Sequence, residues 1–517
     1  MSWTEEKSRE RIRRFQNNVP ETDIQVEEFE RDYMPRRREA LAKAMMLTEA
    51  SAAAIVDIPR NRAILTDGVH VYVELMDFST QLSSERNTEA AFRRALTFLH
   101  LYYGGSDRLI EAFGLQRVDF HGARLHAVVL TPTGADNALE RIGRAVAFAR
   151  AIMAMVARMG GRFNGRYETR VAIGIDAGRA VAINSGRGDE HEPLFIGRPA
   201  NDAAHLAACG EHGIHLGERV RRALAPLSFA PHQALDPFED LVRRSGSARA
   251  SGGFRTLQEA ADDEIAKYDV ELAVAESQGS LPVFNFHQHT PPLKTLDFKV
   301  LAPSRSVLMA MAALFADLDG FTDYVDVSLA SGRVSQAVAN LHVMRGEFAA
   351  TVREDFDGRK VRFIGDCLKA VVAEGDASAV DPVKTVESAF LLAGALRSSF
   401  LLCKAELPGI EDLGLAIGVD YGTTPACRIG LRGASGVRCV TSAATCESER
   451  LQRTCDGRET VFGEGAFDAA GLAVRQALRG SRTISNLTHP NAVRLVKGMA
   501  PARVGSTAGP VVQAHTR

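Results

Sequence analysis

The chain repeats itself. Glu74 and Phe78, in His70-Val-Tyr-Val-Glu-Leu-Met-Asp-Phe-Ser-Thr80, match Asp317 and Phe321, in Leu314-Phe-Ala-Asp-Leu-Asp-Gly-Phe-Thr322, both 243 positions later. Gly122 in Val118-Asp-Phe-His-Gly-Ala-Arg-Leu-His126 matches Gly365 in Val361-Arg-Phe-Ile-Gly-Asp-Cys-Leu-Lys369 at the same offset of 243. Gly174 in Val171-Ala-Ile-Gly-Ile-Asp-Ala-Gly178 matches Gly418 at 244, and Asn201 and His205 match Cys446 and Arg450 at 245. Four blocks in one order, drifting by two residues, imply a duplication. At 517 residues the chain is too long for a single core, so it must fold as two related domains in tandem.

Each repeat reads as strand, helix, strand–turn–strand, helix, strand. Residues 306–316 are nearly all apolar, as in a strand buried on both faces. Residues 334–352 carry apolar side chains at helical spacing, and Gly358-Arg-Lys360 turns into the next strand. The pattern predicts an α+β fold with helices against a sheet, a βαββαβ or ferredoxin-like unit, rather than a doubly wound one. Residues 1–60 are expected to be charged amphipathic helix, 61–258 the first unit, 259–298 a helix followed by an extended Pro-containing linker, 299–502 the second unit, and 503–517 a flexible tail.

A formal charge of −2 gives no electrostatic reason to expect nucleic acid or an anionic membrane as partner. Seven cysteines without a C-x-x-C pair argue against a disulfide framework or zinc site. No uninterrupted apolar run reaches the roughly 18 residues of a membrane helix, and the N-terminus does not read as a signal peptide. The expectation is a cytoplasmic protein.

Chemistry concentrates in the second repeat. Asp317 is delivered to the end of an apolar strand, and Gly320 lets the chain turn into a helix. A second strand ends at Phe363-Ile364, with Gly365-Asp366 at the turn. Two carboxylates at neighbouring strand ends are what a pair of hard divalent cations needs. In the first repeat, Glu74 and Ala123 stand at these two places, and Ala123 cannot ligate a metal.

Phe-Ala-Asp-x-x-Gly-Phe-Thr followed by Phe-Ile-Gly-Asp resembles the class III nucleotidyl cyclases, over most of the second unit and more weakly over the first. The resemblance implies that two such domains associate head to tail, with Asp317 and Asp366 holding two divalent cations, Mn²⁺ or Mg²⁺. It also implies that a nucleoside triphosphate is cyclised by attack of its ribose 3′-hydroxyl on the α-phosphorus. Phe315 and the Gly320-Phe321-Thr322 turn would contact substrate, the turn through backbone N–H groups on the β- and γ-phosphates. Lys497 would face phosphate. The family's partner-side Asn and Arg fall on Asn201 and His205 in the first unit, and on Cys446 and Arg450 in the second. Each half then carries part of a site. Joining the first unit to the second assembles Asp317, Asp366, Asn201 and His205, with neighbouring Arg198 as a substitute for the missing Arg. A homodimer pairing two second units would instead use Arg450.

The adenine-reading Lys and Asp of adenylyl cyclases are replaced by Asp119 and Leu194 in the first unit, and by Arg362 and Cys439 in the second. Asp119 can accept from uracil N3–H or the cytosine amine, and Arg362 can donate to a pyrimidine carbonyl. Their alternative role is as strand-end charges. The two motifs of the first unit resemble the bacterial pyrimidine cyclases of the Pycsar anti-phage systems. That resemblance implies conversion of UTP to cyclic UMP, which would activate a separate effector protein. An adenylate cyclase with an atypical pocket, a cytidylate cyclase and a non-catalytic nucleotide-binding regulator are the alternatives.

Overall fold

The computed structural model describes residues 3–44, 48, 53–55, 58–84, 88–163, 166–167, 169–184, 193–225, 248–250, 253–255, 257–430 and 436–499. The tail expected over 503–517 lies outside the described residues. Helix α1 (Glu5–Asn18) is followed by strand β1 (Gln25–Glu28). The first unit comprises β2 (Arg62–Leu75), α2 (Glu89–Ala112), β3 (Gln116–His121), β4 (Arg124–Val129), α3 (Ala138–Gly160), β5 (Val171–Asn184), β6 (Pro193–Ile196), α4 (Arg198–Ala207) and β7 (Gly213–Leu216). After α5 (Leu257–Ser277) the second unit comprises β8 (Ser306–Asp319), α6 (Phe321–Ala330), α7 (Val334–Ala350), β9 (Arg359–Ile364), β10 (Cys367–Val372), α8 (Pro382–Glu406), β11 (Gly414–Ile429), β12 (Val437–Val440) and α9 (Ala443–Thr454).

The sheet orders match. The first runs β3-β4-β2-β5-β6 and the second β9-β10-β8-β11, with further strands at the far edge. Within each unit the four main strands are antiparallel and lie in the order second, third, first, fourth. This is the order of a ferredoxin-like sheet, built from the βαββαβ succession that the periodicity predicts.

One face of the second sheet, through Leu314, Ala316 and Leu318, packs on Phe348, Phe390 and Leu396 of α7 and α8. The opposite face, through Met309 and Met311, is covered by Leu293, Leu296 and Phe298 of the inter-unit segment. Phe29, Tyr33 and Met34 cover the back of the first sheet in the same way. The segments before each unit are therefore lids on a sheet face, which explains why the strands are apolar on both sides. Helix α8 is apolar and long enough by composition to cross a membrane, but 78% of its apolar window is buried inside the protein.

The N-terminal segment is not wholly helical. β1 adds in parallel to β2 of the first sheet, whereas α1 docks on the second unit. There Arg11, 3% exposed, pairs with Glu347 at 2.7 Å and Asp355 at 2.8 Å, and Trp3 Nε1 donates to Ser399 Oγ at 2.9 Å. The start of the chain thus ties the two units together. Their main contact is reciprocal: Val181, Ile183, Leu194 and Ile196 of the β5–β6 hairpin join the second unit's core, and Cys427, Ile429, Val437 and Cys439 of β11–β12 join the first unit's core. The two repeats pack head to tail within one chain.

Candidate active site

Head-to-tail packing leaves a cavity of about 270 Å³ between the units. Asp317 reaches it from β8, opposite Ala416 of β11. Asp366 reaches it from the two-residue turn between Ile364 and Cys367, paired ends of β9 and β10. Gly365 makes that turn possible with φ +60°, a backbone angle costly for any residue with a Cβ. From the first unit, α4 contributes Asn201, Ala204 and His205, with Ala208 just beyond it. The spacing i, i+3, i+4, i+7 places all four on one helix face.

The aspartates lie where burial disfavours charge. It raises the pKa of both; nearby Asp317 raises Asp366 further, and Asp319 and Glu449 add to the rise at Asp317. Two desolvated, mutually repelling carboxylates are an all-oxygen donor set that a hard cation relieves. Among the described residues no group of three or more His, Cys, Asp and Glu side chains forms a metal site, so substrate phosphates and water would complete the coordination. The donor set fits divalent ions that bind jointly with a nucleotide.

Beyond the aspartates, the cavity is lined by Tyr72, Val118, His126 and Leu194 of the first unit. Tyr72 and His126 stack with ring centroids 4.1 Å apart, presenting an apolar aromatic wall suited to a planar base. Asp119 and Arg362 also line it. They are not exposed strand ends: Arg362 donates across the interface to the Asp119 carboxylate and to the Phe120 carbonyl. Phe315 lies in the wall below Lys369, whose Nζ sits 5.3 Å from its ring centroid.

No protein-family model matches the chain. A uridylate cyclase of a Rhizobium species is 43% identical over 492 residues, covering 93% of each chain. A uridylate cyclase of Pseudomonas aeruginosa is 37% identical over 452 residues, covering 85% of each. The crystal structure of a class III adenylyl cyclase-like ATP-binding protein from P. aeruginosa superposes with a TM-score of 0.80 at 32% identity, over 96% of this chain and all of that one. The chain belongs to the uridylate cyclase family. It is a nucleotide cyclase with the class III cyclase fold.

In this cyclase the duplicated site is a cavity of about 410 Å³ whose carboxylates are paired with the protein's own cations. It is lined by Glu74, Ala123, Cys446 and Arg450 among others. Arg124 donates to both oxygens of Glu74 at 3.0 Å, and its other nitrogen donates to Glu449 at 3.0 Å. A guanidinium thus sits on the carboxylate at the metal-ligand position. Glu449 also accepts from His121 at 3.2 Å. Burial pushes the Glu449 carboxyl upward, but Arg124, His121 and Lys369 prevail and hold it down at about 2.

Several expected contacts fall elsewhere. Arg450 lines this second cavity and ion-pairs with Glu447 at 2.6 Å, which removes it from the Asp317–Asp366 site within one chain. Phe321 is 4% exposed and packs in the second unit's core; its place in the motif reflects packing. Gly320, with φ +81°, caps α6, and neither it nor Thr322 lines the 270 Å³ cavity. Lys497 ends a C-terminal helix and is not among the residues around that cavity. Arg198 pairs with Asp323 and Asp326, each at 2.6 Å, so it bridges α4 to α6 instead of replacing the missing Arg. Cys439 is buried in the first unit's core.

Sequence reasoning missed Arg124, Lys369, Glu449, Gln452 and Arg453. A signal was present: Glu449 and Arg453 are the repeat equivalents of Ala204 and Ala208, 245 positions on, so α9 carries charge on the face where α4 is small.

Proposed function

We propose that the chain converts UTP to 3′,5′-cyclic UMP and pyrophosphate in the cavity that holds Asp317 and Asp366. The observation that carries this reading is the asymmetry of the two cavities. One gathers two half-buried aspartates from the second unit with Asn201 and His205 from the first, and the other has Arg124 on Glu74 and Ala123 in place of the second carboxylate. The names of the two uridylate cyclase relatives support uracil as the base.

In the reaction the ribose 3′-oxygen forms a bond to the α-phosphorus, the bond from that phosphorus to the bridging oxygen breaks, and the 3′-hydroxyl proton leaves to solvent. Asp317 and Asp366 would hold divalent ions, Mn²⁺ or Mg²⁺, which would lower the pKa of the hydroxyl and neutralise phosphate charge. Asn201, half-buried on α4, orients the ribose. His205, one turn further on the same face, donates to the phosphoryl oxygens. The Tyr72–His126 wall and Leu194 bury the base, with the Asp119–Arg362 pair offering an acceptor and donors at its edge. A polar pair of this kind rejects a mismatched base because its groups would be left unpaired. The cyclic nucleotide would then act as a diffusible signal on a separate effector in anti-phage defence.

The test is to incubate the purified chain with Mn²⁺ and each of ATP, GTP, CTP and UTP separately, and to identify products by mass spectrometry. Cyclic UMP as the dominant product is expected. A purine cyclic nucleotide as the dominant product would overturn the base assignment, and no product with any of the four would overturn catalysis.

A further inference from the structure

A third cavity, of about 290 Å³ and similar in volume to the active-site cavity, lies between α7, the segment that follows it, and β9, with Arg60 from the segment before β2 also lining it. Its lining is strongly basic: Arg60, His342, Arg345, Arg353, Arg359 and Lys360. Glu354 is the single acidic side chain among the lining residues. This concentration of positive charge stands in a chain whose net charge is −2, and a concave basic site with low-dielectric walls focuses attraction on anions.

The repeat supplies an internal control. At the offset of 243, Leu99, Tyr102 and Tyr103 of the first unit correspond to His342, Arg345 and Gly346 of the second. In the first unit these side chains are fully buried core. Tyr103 stacks on Phe120 at 4.0 Å and fills the space. In the second unit Gly346 makes room for Phe15 of α1, whose ring lies 3.1 Å from where a Cβ would stand, and the Arg345 guanidinium lies over Phe363, the equivalent of Phe120, at 4.3 Å. The same helix face thus presents buried aromatic rings in one copy and a cation lining a cavity in the other. Arg345 is 5% exposed, so charge is held within the wall and not only at the rim.

We propose that this pocket binds a small phosphate-bearing anion of nucleotide size, separately from the substrate. Arg345 links it to the catalytic turn, since its Nη2 donates to the carbonyl of Gly365 at 2.7 Å, one residue before Asp366.

The experiment is isothermal calorimetry of the full chain with inorganic tripolyphosphate in EDTA, which removes metal-dependent phosphate binding at the aspartates. The wild type should bind. An Arg353→Glu/Lys360→Glu double variant should lose at least about tenfold in affinity, and the milder Lys360→Gln should lose less, both with wild-type melting temperatures. Asn201→Ala, in the substrate cavity, should bind as the wild type does. No binding to the wild type, equal binding to the double variant, or loss of binding on Asn201→Ala would overturn the site. Failure of this test would leave the cyclase assignment standing, since that rests on the other cavity.

Discussion

Arg362 and Asp119 stand at the same place in the two repeats, 243 positions apart, and they meet as an ion pair across the interface. Duplication put a side chain on each side of a pseudo-twofold axis, and divergence made the two complementary. Arg362→Ala should leave Asp119 without this partner in a half-buried interface and lower kcat/KM for UTP. The swapped double variant Asp119→Arg/Arg362→Asp should recover part of the stability in urea melts. A coupling energy of about 1–3 kcal/mol is expected for the pair from the double-mutant cycle; a value near zero would show that the two act independently.

Asp317→Asn and Asp366→Asn should each lower turnover by about 10³-fold or more, since each removes a cation ligand that supplies several kcal/mol to the transition state. Neither should unfold the protein. In EDTA both variants should melt at or above the wild type, because one of two mutually repelling, half-buried carboxylates is gone. Adding Mn²⁺ should raise the melting temperature of the wild type more than that of either variant. Activity within about tenfold of wild type would refute the metal assignment.

Arg124 neutralises two carboxylates at once, Glu74 and Glu449. Arg124→Ala is expected to cost about 1–3 kcal/mol in urea denaturation, mostly as the penalty of two half-buried carboxylates left without this cation. Adding Glu74→Gln to that variant should return part of the loss. If it deepens the loss, Arg124 acts through packing and not through charge.

Burial is the main cause that drives His121 down to about 4 from the ordinary 6.5, and the Lys369 charge adds to it. The native state holds the neutral ring, so protonation favours unfolding. This contribution to stability is fully present above about pH 6.5 and is lost progressively as pH falls toward 4, by about 1.4 kcal/mol per pH unit in that window. His121→Asn should therefore lose less stability than the wild type between about pH 7 and pH 5, as measured by urea midpoints. Parallel pH profiles would remove His121 from the account.

Trp3 is the sole tryptophan of the chain, and it is 6% exposed beside Ser399. Its fluorescence reports whether α1 is docked on the second unit. Arg11→Ala strands Glu347, which is fully buried, and should shift emission to the red at lower urea than in the wild type, at a cost of about 3–5 kcal/mol. An unchanged fluorescence midpoint would mean that the helix is held by its apolar face alone.

Much of the candidate site was legible because strand-end carboxylates stand out in a local pattern. That pattern singles out Asp317 and Asp366, the repeat singles out Asn201 and His205, and the structure brings all four to one cavity. Phe321 misled because one motif mixes groups kept for chemistry with groups kept for packing, and a sequence does not separate them. Arg450 and Arg198 misled for another reason: an arginine's role depends on which carboxylate it meets, and those carboxylates, Glu447, Asp323 and Asp326, carry no mark of it in the sequence.

By itself the sequence determined that two ferredoxin-like units exist, that the second alone carries both aspartates, and that the first has lost them. These are properties of local periodicity and of residue identity at aligned positions. Only the tertiary structure decided that the two units face each other within one chain, that Arg124 pairs with the carboxylates of the duplicated cavity, and that α1 clasps the far unit. Each of those depends on which surfaces meet across hundreds of residues. Burial and charge pairing across that distance set the outcome, and neither is encoded in any single stretch of the chain.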